Sequence, residues 1–150
     1  MKSLGTFILI LLVGAIQAQQ QICYQNPSME GTSQPHVVPA PWQACYGNPD
    51  TQPGQWGITL PASNGNTYVS FLHSGQIPNG YNEGMTQLLN PPMVAGQTYT
   101  LTLDLAHSNI YNTAQPNGCY STLGLYGGMT PCAQAETLWV SGPFYHTNWQ

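Results

Sequence analysis

Short runs of alternating apolar and polar residues recur along the chain, and glycine and proline separate them. The clearest run covers residues 98–105. Its tyrosine and leucines would lie on one face of a strand, and Thr100, Thr102 and Asp104 would lie on the other. A period of two is typical of a strand with one buried face. We predict further strands over residues 22–25, 28–30, 67–73, 84–89, 121–126, 137–141 and 144–150.

Turn-forming dipeptides lie between the predicted strands. Asn-Gly pairs occur at residues 64–65, 79–80 and 117–118, and a Gly-Gly pair occurs at 127–128. No helical period persists in this part of the chain. Many short strands joined by such turns indicate an all-β fold, and we predict a single antiparallel β-sandwich domain over residues 19–150.

Residues 1–18 have the organisation of a secretory signal peptide. Lys2 is followed by an apolar stretch and then by small residues that end at Ala18, where we expect cleavage. The apolar stretch is shorter than the roughly 20 residues that span a bilayer. The pattern therefore predicts a secreted or cell-surface protein that does not insert into the membrane after cleavage.

The charge composition excludes several classes of function. Lys2 is the single Lys or Arg of the 150 residues, so the mature chain would carry none. Nucleic-acid binders neutralise phosphates with Lys and Arg, which makes a nucleic-acid partner untenable. Phosphate clamps, Schiff-base lysines and adsorption to anionic membranes are excluded for the same reason.

An even number of cysteines in a secreted chain favours disulfides, and this chain has four. If residues 121–126 are extended, the chain travels about 26 Å from Cys119 to residue 127 and can recover at most about 17 Å before Cys132. A disulfide needs Cα atoms within about 7 Å, so Cys119–Cys132 is disfavoured. Two pairings remain, namely Cys45–Cys132 with Cys23–Cys119, which we prefer, and the crossed pairing.

Three segments together resemble the galactose-binding-like jelly rolls, which include many carbohydrate-binding modules. They are Asn-Pro-Ser-Met-Glu-Gly at residues 26–31, Pro-Ala-Pro-Trp at 39–42, and the block from Gln-Leu-Leu to Tyr-Thr-Leu-Thr-Leu-Asp within 84–106. Met29 and Leu103 replace residues that are usually aromatic in this family. The resemblance covers roughly residues 22–150 and is most specific in the last block.

The resemblance implies a fold, a ligand face and a metal. The chain is similar to N-terminal domains of secreted proteins from gliding or adhesive Bacteroidetes-type bacteria, so we expect a piece of a longer protein that lacks its last strands. A polar sheet face with Thr100, Thr102 and Asp104 would be a ligand surface, or an ordinary solvated face. Glu30 would help to bind a structural Ca²⁺ together with carbonyl oxygens, or would cap a turn.

The aromatic residues indicate what the ligand could be. Sugar rings stack on Trp and Tyr, and amides bind the hydroxyl groups. Trp56, Tyr81 and Tyr111 lie in loops rich in Gly, Asn and Pro, and each is either a candidate ligand platform or a partly buried anchor of its loop. The aromatic residues in strand-like or motif positions are assigned to the core, namely Trp42, Tyr99 and Trp139.

Catalysis has little support in the sequence. The chain has no Gly-x-Ser-x-Gly motif, its four histidines show no metal-ligand spacing, and no carboxylate pair is singled out for glycoside hydrolysis. We therefore predict a non-catalytic binding module for glycans. The alternative is a structural or adhesive spacer whose partner is a cell-surface protein.

Overall fold

The computed structural model describes residues 22–73, 82–112 and 120–150, and nearly all of the regular structure there consists of short strands. The strands are β1 (Gln43–Tyr46), β2 (Asp50–Gln52), β3 (Tyr68–Ser70), β4 (Gly84–Thr86), β5 (Gly124–Gly127) and β6 (Glu136–Val140). One short 3-10 helix, Gln55–Gly57, follows β2. Within the described residues, no helix has the length and apolar character to cross a membrane.

The six strands form three antiparallel pairs, β1 with β4, β2 with β3, and β5 with β6. In the second pair Thr51 lies opposite Val69, and in the third Leu125 lies opposite Trp139. The prediction of an all-β chain built from antiparallel strands is confirmed. The packing of these small sheets into one sandwich stays a prediction.

The family-like opening segment forms a turn, so the strands predicted over residues 22–25 and 28–30 were wrong. Asn26 and Met29 have positive φ values of 51° and 57°, which lie outside the range of regular strands. The Met29 N–H donates to the Asn26 carbonyl oxygen at 3.1 Å, and the Glu30 N–H donates to Asn26 Oδ1 at 2.7 Å. The Asn side chain closes this turn on its own backbone, as short polar side chains commonly do.

The most regular alternation in the sequence, over residues 98–105, does not form a strand in the described chain. Leu101 and Leu103 are 38% and 37% exposed, so the apolar face covers no core. Backbone pairing occurs only at the end of the segment, where Leu105 and Gln150 exchange N–H···O bonds of 3.0 and 3.1 Å. Alternation defines two faces, but a strand also needs a partner along its length.

The interior around β2 is polar. Among the described residues Pro39 and Pro49 are the only apolar side chains that are buried, whereas all three residues of β2 are buried. Trp139 is 44% exposed, so its assignment to the core was wrong, and Trp42 and Tyr99 are only half-buried. Packing near β2 therefore depends on polar side chains that must find hydrogen-bond partners away from water.

Each buried side chain of β2 has such a partner. Gln52, which is fully buried, donates from Nε2 to Ser70 Oγ at 3.0 Å and accepts the Gln55 N–H at Oε1 at 3.0 Å. The Thr51 hydroxyl donates to the Val37 carbonyl oxygen at 2.7 Å. These bonds join β2 to β3, to the 3-10 helix and to the preceding loop, so a polar interior is compatible with a defined structure.

A disulfide between Cys45 and Cys132 connects β1 to the loop between β5 and β6, with a Cα–Cα distance of 5.3 Å. The Tyr46 hydroxyl donates to the Cys132 carbonyl oxygen at 2.8 Å beside it. This pairing is confirmed, and the crossed pairing of Cys45 with Cys119 is wrong. Cys23 is exposed and carries a free thiol, and its predicted partner Cys119 lies outside the described residues.

Candidate functional site

Three aromatic rings meet beside the 3-10 helix. The Trp56 ring centroid lies 5.7 Å from that of His36 and 5.7 Å from that of Tyr111. The interplanar angles are 57° and 34°, so both neighbours are tilted against the indole. These separations are typical of favourable aromatic pairs. We refer to His36, Trp56 and Tyr111 as the aromatic cluster.

The backbone around Trp56 has an uncommon conformation that its neighbours stabilise. Trp56 itself has a φ of 55°, and Gly54 before it has a φ of 107°, in a region where glycine is preferred. The Gly54 N–H donates to the Ile58 carbonyl oxygen at 2.8 Å, and the Asn112 N–H donates to the Trp56 carbonyl oxygen at 2.7 Å. The second bond brings the loop that carries Tyr111 against the 3-10 helix.

Asp50 holds the aromatic cluster in place through two hydrogen bonds. Its Oδ2 accepts the Trp56 Nε1–H at 2.9 Å, and its Oδ1 accepts the backbone N–H of His36 at 2.8 Å. The Asp50 side chain is only 7% exposed, and the nearest basic nitrogen, His36 Nδ1, lies 4.0 Å from Oδ1 on a side chain that is 56% exposed. A buried carboxylate therefore orients the indole and the loop that carries His36, without a permanently charged partner.

A second carboxylate, that of Glu83, contributes to the negative potential at Tyr111. Glu83 accepts the Asn48 N–H at Oε1 at 3.0 Å and the Leu72 N–H at Oε2 at 2.7 Å, and so holds two loops together. The pKa of Tyr111 is raised, mainly by burial and then by the negative charges of Asp50 and Glu83. Since the described chain contains no Lys or Arg, nothing permanently charged offsets this negative potential.

The structure brings together two of the three loop aromatics that the sequence indicates as platforms. Trp56 and Tyr111 are in the cluster, and Tyr81 lies outside the described residues. Sequence reasoning missed His36 and Asp50. A usable signal existed for Asp50, because it is the single carboxylate between Glu30 and Glu83 and lies six residues before Trp56.

The predicted polar stripe remains exposed to solvent. Thr100, Thr102 and Asp104 are exposed, and so are the leucines between them, which means that the segment has no distinct polar face. The Asp104 carboxylate accepts the hydroxyl of Ser63. A role of this stripe as a ligand face stays a prediction.

Glu30 closes a turn with both of its carboxylate oxygens. Oε1 accepts the Asn66 N–H at 2.9 Å, and Oε2 lies 3.4 Å from Asn66 Nδ2. The bond from the Asn66 N–H holds the pKa of Glu30 below its usual value. A Cβ on Gly65 would lie 1.8 Å from Oε1 and would displace the carboxylate, and the φ of 73° at Gly65 also favours glycine. The turn-capping alternative fits these contacts, and a calcium role for Glu30 stays a prediction.

The described residues offer no clustered metal ligands and no complete nucleophilic triad. Within the described ranges, no group of three or more His, Cys, Asp or Glu side chains is gathered as metal ligands. His107 Nδ1 lies 2.8 Å from Ser121 Oγ, but this pair has no third group that orients the imidazole, since the buried His107 Nε2 contacts no hydrogen-bond partner in the described chain.

The aromatic cluster is thus the best-defined candidate site. It combines two partly buried aromatic rings, an exposed imidazole and a carboxylate that fixes their positions. Comparisons with protein-family models, with curated proteins and with solved structures found no match, so the function is inferred from the chemistry of this site.

Proposed function

We propose that the protein is a secreted, non-catalytic carbohydrate-binding module, and that its ligand stacks on the aromatic cluster. The observation that carries the proposal is the meeting of Trp56 and Tyr111, at a centroid distance of 5.7 Å, with the indole N–H held by Asp50. Sugar rings offer C–H faces to aromatic rings, and rings fixed before binding lose little conformational entropy when a ligand arrives.

Polar groups around the cluster suit the hydroxyl groups of a sugar. Gln55 precedes Trp56 in the 3-10 helix and is half-buried, with its Nε2 bonded to Ser33 Oγ at 3.3 Å. Side-chain amides carry both donors and acceptors, which matches the dual character of a hydroxyl. The proposal includes a galactose-binding-like jelly-roll sandwich as the fold of the module, and export of the chain to an oxidising compartment that suits its disulfide.

A structural or adhesive role is the second candidate, and the hairpin of β5 and β6 favours it. Every residue of β6 is exposed, including Leu138, Trp139 and Val140 at 48%, 44% and 53%. Exposed apolar surface on a sheet is a common feature of protein-contact sites. This candidate predicts a specific protein partner and no affinity for sugars.

Truncation of the cluster aromatics should separate the two candidates. The mature chain is first screened against a polysaccharide array, and the affinity for the bound glycan is then measured by calorimetry. Trp56→Ala and Tyr111→Ala should each weaken binding by at least about tenfold, the typical cost of removing an aromatic anchor.

Trp139→Ala and Tyr145→Ala are the matched controls, because both side chains are exposed outside the cluster. They should leave the affinity within about twofold, as surface substitutions usually do. Unaltered binding by Trp56→Ala and Tyr111→Ala would contradict the proposed site. A wild-type chain that binds no glycan, but captures a protein partner through Trp139, would favour the second candidate.

A further inference from the structure

We infer that the sugar recognised by the aromatic cluster carries a positive charge, as an amino sugar with a free ammonium group does. This inference rests on the proposed function and names the substrate class of the same site. It predicts discrimination against the N-acetylated form of the same sugar, which is neutral, and against uronic acids, which are anionic.

Asp50 places a carboxylate in the buried part of the site. A carboxylate that is 7% exposed ordinarily has a cationic partner or a metal, because removal of a charge from water is costly. Asp50 has two N–H donors instead, from His36 and Trp56. Neither donor carries a full positive charge, and the one base within 4.0 Å is the exposed imidazole of His36, so the site gains from a cation supplied by the ligand.

The rings of the aromatic cluster lie next to this carboxylate. The Trp56 indole donates its N–H to Asp50 while His36 and Tyr111 pack against it at 5.7 Å. An ammonium group within about 6 Å of an indole centroid is attracted by the negative face of the ring. The Asp50 carboxylate at the edge of the same ring also attracts a cation, so the two contributions have the same sign.

The electrostatic potential around the cluster is negative, because Asp50 and Glu83 both act on Tyr111. Glu83 holds the neighbouring loops and adds a second negative charge, which contributes to the raised pKa of Tyr111. His36 is the one titratable base that faces Asp50 in the described chain, and it is exposed on a loop. An anionic sugar would meet two carboxylates without a Lys or Arg to offset them, and would be repelled.

The test compares cationic, neutral and anionic sugar hexamers on the wild-type protein. Calorimetry is run with a β-1,4-linked glucosamine hexamer, its fully N-acetylated counterpart, a glucose hexamer and a galacturonate hexamer, at a pH where the amine is protonated. The glucosamine hexamer should bind at least about tenfold more tightly than either neutral hexamer, and its affinity should fall with added salt. The galacturonate hexamer should show no binding.

Each contrary result has a distinct meaning. Equal affinity for the glucosamine and neutral hexamers would overturn the inference and leave the proposed function intact. Binding of none of the four hexamers, nor of any glycan on the array, would overturn the proposed function itself. An oligolysine of the same charge that binds as tightly as the glucosamine hexamer would contradict an amino-sugar ligand. It would show that the site recognises positive charge alone. Every measurement uses the wild-type protein, so no result depends on whether a variant folds.

Discussion

Loss of the Cys45–Cys132 disulfide is expected to lower the free energy of unfolding by about 4 to 5 kcal/mol. The two cysteines are 87 residues apart, and a bond that closes so long a loop removes much of the conformational freedom of the unfolded chain. In a domain with a stability of about 5 to 15 kcal/mol, this is a large share. The share is larger still here, because Pro39 and Pro49 are the only apolar side chains buried among the described residues.

Urea denaturation of the Cys45→Ser/Cys132→Ser double variant, compared with wild type, measures this effect. Ala44→Ser is the control, because it adds a serine hydroxyl to the same exposed part of β1 and keeps the disulfide. An unchanged unfolding midpoint in the double variant would contradict the account. So would a peptide map of the unreduced wild type in which Cys45 is joined to Cys119.

Asp50→Ala should destabilise the fold by about 3 kcal/mol, because hydrogen bonds to a charged group contribute about 1.5 to 3 kcal/mol each. The substitution leaves the Trp56 Nε1–H and the His36 N–H without their acceptor in a site where the carboxylate is 7% exposed. Relief of the buried charge offsets part of this loss, but two unpaired donors remain.

Asp104→Ala is the matched control for Asp50→Ala. Asp104 is also an aspartate that accepts a hydrogen bond, from Ser63, but it is exposed, so its loss should cost less than about 1 kcal/mol. Both variants are measured by urea denaturation with circular dichroism as the readout. Equal effects of the two substitutions would show that the buried position of Asp50 contributes nothing special.

The sequence predicted β3, β4, β5 and β6 well, and it missed β1 and β2. The four predicted strands contain alternating or β-branched residues, whereas β2 reads Asp-Thr-Gln and lies between two prolines. Hydrophobic patterning finds strands that bury an apolar face. It cannot find one whose buried face is polar, because Ser70, the acceptor of the buried Gln52 amide, lies 18 residues further along the chain.

The site was predictable in its components and not in its assembly. Loop context identified Trp56 and Tyr111 as candidates, and the reach of the chain helped to select the Cys45–Cys132 pair. The contact between the two rings and the support from Asp50 depend on loops that meet only in the folded chain. The strand predicted over residues 98–105 was wrong because alternation is a local pattern, and a sheet also requires a partner strand elsewhere in the chain.

Nuclear magnetic resonance of the indole N–H groups tests the central claim most directly. The chain has four tryptophans, so a ¹⁵N-labelled sample gives one indole signal for each. Three of these groups have known acceptors, which are Asp50 for Trp56, the Asn26 carbonyl for Trp42 and the Pro61 carbonyl for Trp149. Trp139 lies exposed on β6 and provides an internal control.

On titration with the glucosamine hexamer, the account predicts a saturable shift of the Trp56 indole signal, while those of Trp42, Trp139 and Trp149 remain in place. The N-acetylated hexamer should produce the same shift at higher concentration, because it lacks the charge but keeps the stacking faces. A saturable shift confined to Trp139, or binding of the hexamers without any change at Trp56, would contradict the assignment of the aromatic cluster as the glycan site.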